Sequence, residues 1–334
     1  MRLLYYGWYS RILDVLIVLE KQFDNRRAGR QLPAFPDNKG KFSMEVYLQL
    51  GGVLFAIQSE RELDIDVELS AFIQEKTENY DLIVSITWDW DNAPKPEGEM
   101  IGQDLIQNYY IEGDRRFCET RGGWKGAIAC ASYTADFSHV LCAVNEKPFL
   151  QPPKMLGSLL RMLPMREIFL HFGTLFLHAS QIAYNGSGIL FAAPSGTGKT
   201  TQARLWQEFC GAEIICNDRT LLRKHGGVWH TYGYPLDGSE PVRSGAVNRL
   251  GCVVLLEQGK ENRVQRLSPG KAVGPLMRQA VMDCWSAEAR EGVMNLLFSL
   301  LEDVPVFLLS CTPDQHAVEV LKGKLEEEEV IVNG

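Results

Sequence analysis

The stretch GILFAAPSGTGKTTQARLW, residues 188–206, constrains the fold of this chain more than any other. Its apolar start predicts a strand, its small residues predict a loop, and TQARLWQEF predicts a helix. In this arrangement successive backbone N–H groups and the positive end of the helix converge on one point, which suits a phosphate group. Residues 174–184 and 187–192 are β-rich runs joined by Asn185 and Gly186, a pair that predicts a hairpin with a type I′ turn.

The loop follows the phosphate-binding pattern G-x-x-x-x-G-K-[ST] at every fixed position except the first, where Ala193 replaces glycine. Alanine is tolerable there if its φ is negative, whereas Gly196 and Gly198 allow positive φ and close approach of the backbone. Lys199 is expected to reach the β- and γ-phosphates, and Thr200 to place its hydroxyl on Mg²⁺. The predicted nucleotide-binding residues are Ser195, Gly196, Thr197, Gly198, Lys199, Thr200 and Thr201. The alternative is a chance turn between a strand and a helix.

A chain of 334 residues exceeds the size at which one hydrophobic core usually stops growing, so we expect two domains. Pro152 and Pro153 mark the boundary between an N-terminal α+β domain, residues 1–150, and a catalytic domain, residues 153–334. In the first domain the pattern predicts an amphipathic helix over 9–23 and a surface loop after it. Further predicted elements there are strands within 42–57, 81–90, 126–133 and 139–144 and a helix over 69–80. Pro164 should break the helix that follows the boundary.

The composition bears on whether the protein binds nucleic acid or membrane and on its cellular location. A net charge of −8 argues against a broad nucleic-acid surface, and the apolar run ILDVLIVLE near the N-terminus is too short to span a membrane. Eight cysteines without a C-x-x-C pair are typical of reduced thiols in a cytoplasmic protein.

Two longer stretches, HASQIAYNGSGILFAAPSGTGKTTQARL and IICNDRTLLR, resemble the catalytic domain of bacterial HPr kinase/phosphorylase. The resemblance covers roughly residues 170–321 and extends to a superfamily that includes phosphoenolpyruvate carboxykinase. It implies an α/β, or α+β, fold with a phosphate loop on a mixed, strongly bent sheet. It also implies ATP and Mg²⁺ as cofactors. Members of the family often assemble into rings, and the heptad pattern here neither indicates nor excludes a homo-oligomer.

The resemblance assigns roles to single residues. The lysine and hydroxyl of the family loop fall on Lys199 and Thr200, and the family histidine falls on His178. The acidic pair of the family falls on Asn217 and Asp218, so one of its two carboxylates is an amide here. An amide cannot accept a proton, so Asp218 must serve as metal ligand, as base, or as both. His178 is the second candidate for the base or for a phosphate contact, and it could also be an ordinary strand histidine.

The first functional hypothesis is an ATP- and Mg²⁺-dependent kinase that transfers the γ-phosphoryl group to a hydroxyl, with a serine of a peptide or protein as the favoured acceptor and a small hydroxylated molecule as another. Efficient reversal by inorganic phosphate is not expected, because the family's signature region for it is not recognisable. The second hypothesis is a protein that binds ATP and a peptide without phosphotransfer. Other residues are ambiguous between a functional and a structural role: Asp237, Arg243, Glu257, Arg219, the run 88–91, and a basic hairpin with Arg115, Arg116, Arg121, Trp124 and Lys125.

Overall fold

Two β-sheets organise the part of the protein that the computed structural model describes, residues 42–123, 126–151, 153–236 and 245–331. Both sheets lie within one compact unit, residues 40–334. The strands of the first sheet precede residue 150 and those of the second follow it, while the division into two domains stays a prediction. The fold is a mixed α/β arrangement of the α+β type, in agreement with the coarse fold class expected from the sequence. No helix of the described residues has the length and apolarity needed to cross a membrane.

The first sheet has nine strands in the order β3-β1-β2-β4-β9-β8-β7-β6-β5. Its strands are β1 Met44–Leu50, β2 Val53–Ser59, β3 Ile73–Gln74, β4 Leu82–Thr87, β5 Glu99–Gln103, β6 Gln107–Glu112, β7 Arg115–Arg121, β8 Ala127–Thr134 and β9 His139–Val144. The strands predicted within 42–57, 81–90, 126–133 and 139–144 are therefore confirmed. The helix predicted over 9–23 lies outside the described residues.

The helix predicted over 69–80 is wrong. The structure has a single turn, α1 Val67–Ser70, followed by the two-residue strand β3. Leu69 and Phe72 are buried in the core, and Ile73 pairs with Leu48 of β1. Pairing at the sheet edge therefore overrides the helical propensity of this stretch.

The second sheet has eight strands and is mixed, with parallel pairs β11–β15 and β15–β17. Five of its strands close a ring, because β11 pairs with β10 on one side and with β15 on the other. The strands are β10 Thr174–Tyr184, β11 Ser187–Ala192, β12 Glu213–Cys216, β13 Arg219–His225, β14 Val228–Gly233, β15 Val247–Gln258, β16 Arg263–Arg266 and β17 Val306–Cys311.

Helices pack on both sides of the second sheet. Trp206 and Ala203 of α4 Lys199–Cys210 share an apolar cluster with Val318 and Leu321 of α7 Gln315–Glu327. A separate cluster joins the sheet to α5 Pro269–Met277 and α6 Ala287–Asp303.

The local features predicted around the second sheet are confirmed. The helix after the boundary is broken at Pro164 into α2 Leu156–Leu160 and α3 Met165–His171. The hairpin β10–β11 closes at Tyr184 and Ser187, and Asn185 and Gly186 both have positive φ, +46° and +75°, as a type I′ turn requires.

Candidate functional site

The loop between β11 and α4 has the backbone that a phosphate-binding loop needs. Gly196 has φ +78° and Gly198 has φ +121°, values that side chains rarely adopt. A Cβ built on either glycine meets no atom within 4 Å, so the space above the loop is open. Helix α4 begins at Lys199, directly after Gly198, and its first N–H groups have no capping side chain. Uncapped N–H groups at the start of a helix favour an anion.

Ala193 occupies the first position of the loop at little cost. It is 2% exposed and belongs to the apolar cluster beneath α4, together with Phe191 and Trp206. Its φ is negative, so alanine is accommodated without strain at the position where the pattern has glycine. The methyl group thus contributes to the core.

Lys199 is buried and lies back on its own loop. Its side-chain amine donates to the carbonyls of Ala193 at 2.8 Å and Pro194 at 3.4 Å. Burial lowers the pKa of Lys199, the carboxylate of Asp218 raises it, and the charge of Arg219 lowers it. Of these groups, Arg219 and Asp218 are in contact, with 3.5 Å between Nε and Oδ2.

Nε2 of His178 lies 3.0 Å from Oδ1 of Asp218, so the imidazole and the carboxylate are in direct contact. Strands β12 and β13 both pair with β10, and the residues between them, Asn217 and Asp218, lie beside His178. The N–H of Ala179 donates to the backbone carbonyl of Asp218 at 3.1 Å. Burial is the first cause that lowers the pKa of His178, and the charge of Lys199 lowers it further, against the carboxylate of Asp218.

Asp218 is thus in direct contact with His178, and its charge acts on Lys199. Among the other predicted residues, Thr200 is half-buried in the first turn of α4, whereas Ser195 and Thr201 are exposed. Asn217 is buried, and its backbone carbonyl accepts a hydrogen bond from the Ser180 hydroxyl at 2.8 Å.

The side chains of Thr200 and Asp218 have the donor chemistry that a magnesium-bound triphosphate needs. Thr200 offers a hydroxyl and Asp218 a carboxylate, which are oxygen ligands that Mg²⁺ accepts alongside phosphate oxygens and water. Among the described residues no group of three His, Cys, Asp or Glu side chains could hold a metal by itself. A magnesium ion here would therefore depend on the nucleotide for part of its coordination.

Sequence reasoning missed the segment that flanks His178 on the other side. The N–H of His178 donates to the carbonyl of Gln279 at 2.8 Å, and the N–H of Val281 donates to Phe176 at 2.8 Å. This segment follows α5, about one hundred residues beyond His178 in the chain. No local pattern indicates such a long-range contact.

Several ambiguous residues belong to other parts of the molecule. Arg116 lies 3.6 Å from the carboxylate of Glu167, and Arg121 donates to the backbone carbonyl of Asp104, so both hold the first sheet in place. The run 88–91 follows the end of β4, and its Asp91 pairs with Lys147 at 2.7 Å. Glu257 is an exposed residue of β15. Outside the described residues lie Trp124, Lys125, Asp237 and Arg243.

Comparison with known proteins identifies a matching family and a solved structure with weak similarity. A family described as SynChlorMet cassette protein ScmC matches residues 154–321. No curated protein matches the chain. Among solved structures, the Hpr(Ser) kinase/phosphatase from Coxiella burnetii is 10% identical with a TM-score of 0.30, and the match covers 46% of this chain and 98% of that one.

Proposed function

The chain belongs to the family described as SynChlorMet cassette protein ScmC, and we propose that it is an ATP- and Mg²⁺-dependent kinase whose acceptor is a hydroxyl group. The favoured acceptor is a serine of a peptide or protein. One observation carries the proposal: Lys199 starts helix α4 directly after a loop in which Gly196 and Gly198 have positive φ, and Asp218 contacts His178 at 3.0 Å.

The loop supplies the nucleotide site. Gly196 and Gly198 let the backbone approach the phosphates, and the start of α4 stabilises their negative charge. Lys199 would exchange its two loop carbonyls for the β- and γ-phosphates. Because this lysine is buried, its charge is screened little by water, and that strengthens its attraction to an anion. Magnesium, held by Thr200 and Asp218, would neutralise charge on the phosphates.

The pair His178 and Asp218 supplies the groups for proton transfer. In the reaction, a bond forms between the acceptor oxygen and the γ-phosphorus while the bond from that phosphorus to the ADP oxygen breaks. The acceptor hydroxyl loses its proton to Asp218, or to His178 held by it, and ADP leaves with the electron pair. Phosphoryl transfer tolerates a single carboxylate here because its catalysis relies mainly on positioning and charge neutralisation.

Two variants test the proposal when nucleotide binding and slow ATP turnover are measured side by side. Lys199→Ala should abolish both, because the lysine contacts the phosphates directly. Asp218→Asn should abolish turnover while nucleotide binding largely survives. If Asp218→Asn leaves turnover intact, the assignment of Asp218 is wrong.

A second candidate function is a protein that binds ATP and a peptide without phosphotransfer. Asn217, an amide where the related kinases carry a carboxylate, favours it. Labelled ATP incubated with candidate peptides separates the two functions, because label transferred to a serine excludes binding alone. Adding inorganic phosphate to the labelled product should release little label, since efficient reversal is not expected.

A further inference from the structure

Arg219 follows Asp218 directly in the chain and has no role in the function proposed above. It is the first residue of β13 and pairs in register with His178 of β10. Its guanidinium carbon lies 5.8 Å from the centre of the Phe176 ring, and its Nε lies 3.5 Å from Oδ2 of Asp218. The aromatic ring and the carboxylate together fix the side chain in place.

The nitrogen nearest to Asp218 is buried but incompletely bonded. The Nε of Arg219 has no hydrogen-bond acceptor among the described residues, since the 3.5 Å contact with Asp218 lacks the geometry of a hydrogen bond. The stronger contact of Asp218 is the one with His178, at 3.0 Å. A buried donor that lacks an acceptor is costly, and a bound ligand or a water molecule can satisfy it.

Positive charge exceeds negative charge around the loop. Two cations, Lys199 and Arg219, interact with the carboxylate of Asp218, which lies 3.5 Å from the Nε of Arg219. The positive end of α4 adds to the two cations. Arginine also presents several donors in a fixed plane, which suits a phosphate better than the single ammonium of lysine does.

On this basis we propose that Arg219 contacts the γ-phosphate of bound ATP and stabilises the charge on that group during transfer. The inference rests on the proposed function and adds a catalytic residue to it. In this arrangement Lys199 contacts the β- and γ-phosphates together with the loop, whereas Arg219 contacts only the γ-phosphate, the group that is transferred. ATP and ADP should therefore differ in their dependence on Arg219.

The test compares the affinities of a non-hydrolysable MgATP analogue and of MgADP, so that no acceptor is required. Arg219→Gln should weaken the analogue about 10- to 100-fold, the range for a lost hydrogen bond between charged groups, and should change the affinity for ADP by less than about threefold. Arg219→Lys should recover part of the loss because it keeps the charge. Lys224→Gln removes a charge from the same strand, where Lys224 pairs with Asp303 at 3.1 Å, and should change neither affinity.

Three outcomes are decisive once thermal unfolding has shown that the variants are folded. A selective loss of the ATP analogue in Arg219→Gln supports the inference. An unchanged ratio of the two affinities overturns it and leaves the proposed function standing, because Arg219 would then serve only to orient Asp218. If the wild-type protein binds neither nucleotide, the proposed function fails and the role of Arg219 fails with it.

Discussion

Replacing Glu167 with glutamine is expected to stabilise the protein at neutral and alkaline pH. Glu167 lies on α3, and its side chain is 13% exposed at the contact between the two sheets. It is surrounded by Arg116 at 3.6 Å, by the Tyr133 hydroxyl, by the Cys118 thiol and by a second buried carboxyl, Asp283. One of its oxygens has no hydrogen-bond partner among the described residues.

The magnitude follows from the pKa of Glu167 in the folded protein. Burial first, and then the charge of Asp283, raise this pKa from 4.5 to about 7, although Arg116 and Tyr133 act in the opposite direction. The folded protein therefore binds the proton more tightly than the unfolded chain. The stability that this proton contributes is fully present below pH 4.5 and is lost as the pH rises through 7, a loss of roughly 3 kcal/mol.

Glutamine keeps the shape of the protonated carboxyl and cannot ionise. The Glu167→Gln variant should therefore exceed the wild type in free energy of unfolding by less than about 1 kcal/mol at pH 5 and by about 2–3 kcal/mol at pH 8. The loss of the partly exposed contact with Arg116 reduces the gain by about 0.5 kcal/mol.

Urea denaturation between pH 5 and pH 8 measures this difference directly. Glu291→Gln, at an exposed position of α6, is the matched control and should show no pH-dependent gain. A difference between wild type and Glu167→Gln that stays constant across this pH range would refute the reasoning, because Glu167 would then not change its protonation in the folded protein.

Three further changes test the loop and its support. Gly198→Ala should cost about 1–3 kcal/mol of stability, because alanine is strained at φ +121°, and it should also weaken nucleotide binding. Gly270→Ala, at a position without positive φ, is the control. Denaturation measures the stability of each variant, and titration with ATP measures its nucleotide affinity. Trp206→Ala should cost about 3–5 kcal/mol in the free energy of unfolding, since the side chain is fully buried beneath the loop. Gly186→Ala should destabilise the hairpin by about 1 kcal/mol, because it removes the residue that allows φ +75° in the turn, and a lowered melting temperature would show it.

The sequence alone determined those features that depend on neighbouring residues. The strand, loop and helix around Lys199 follow from a local pattern, and so does the turn at Asn185 and Gly186. The break at Pro164 is equally local, because a proline in the interior of a helix removes a hydrogen bond and clashes with the preceding turn. Each of these features needs only a few consecutive residues to specify its backbone.

Tertiary structure decided what depends on residues far apart in the chain. Asp218 lies beside His178 because two strands pair with β10 in succession, and Gln279 flanks the same histidine from another part of the chain. Within the stretch 69–80, Ile73 and Gln74 likewise form an edge strand through their pairing with β1. Such pairings depend on the burial of side chains across the whole fold, and a single stretch of sequence does not indicate which other strand it pairs with.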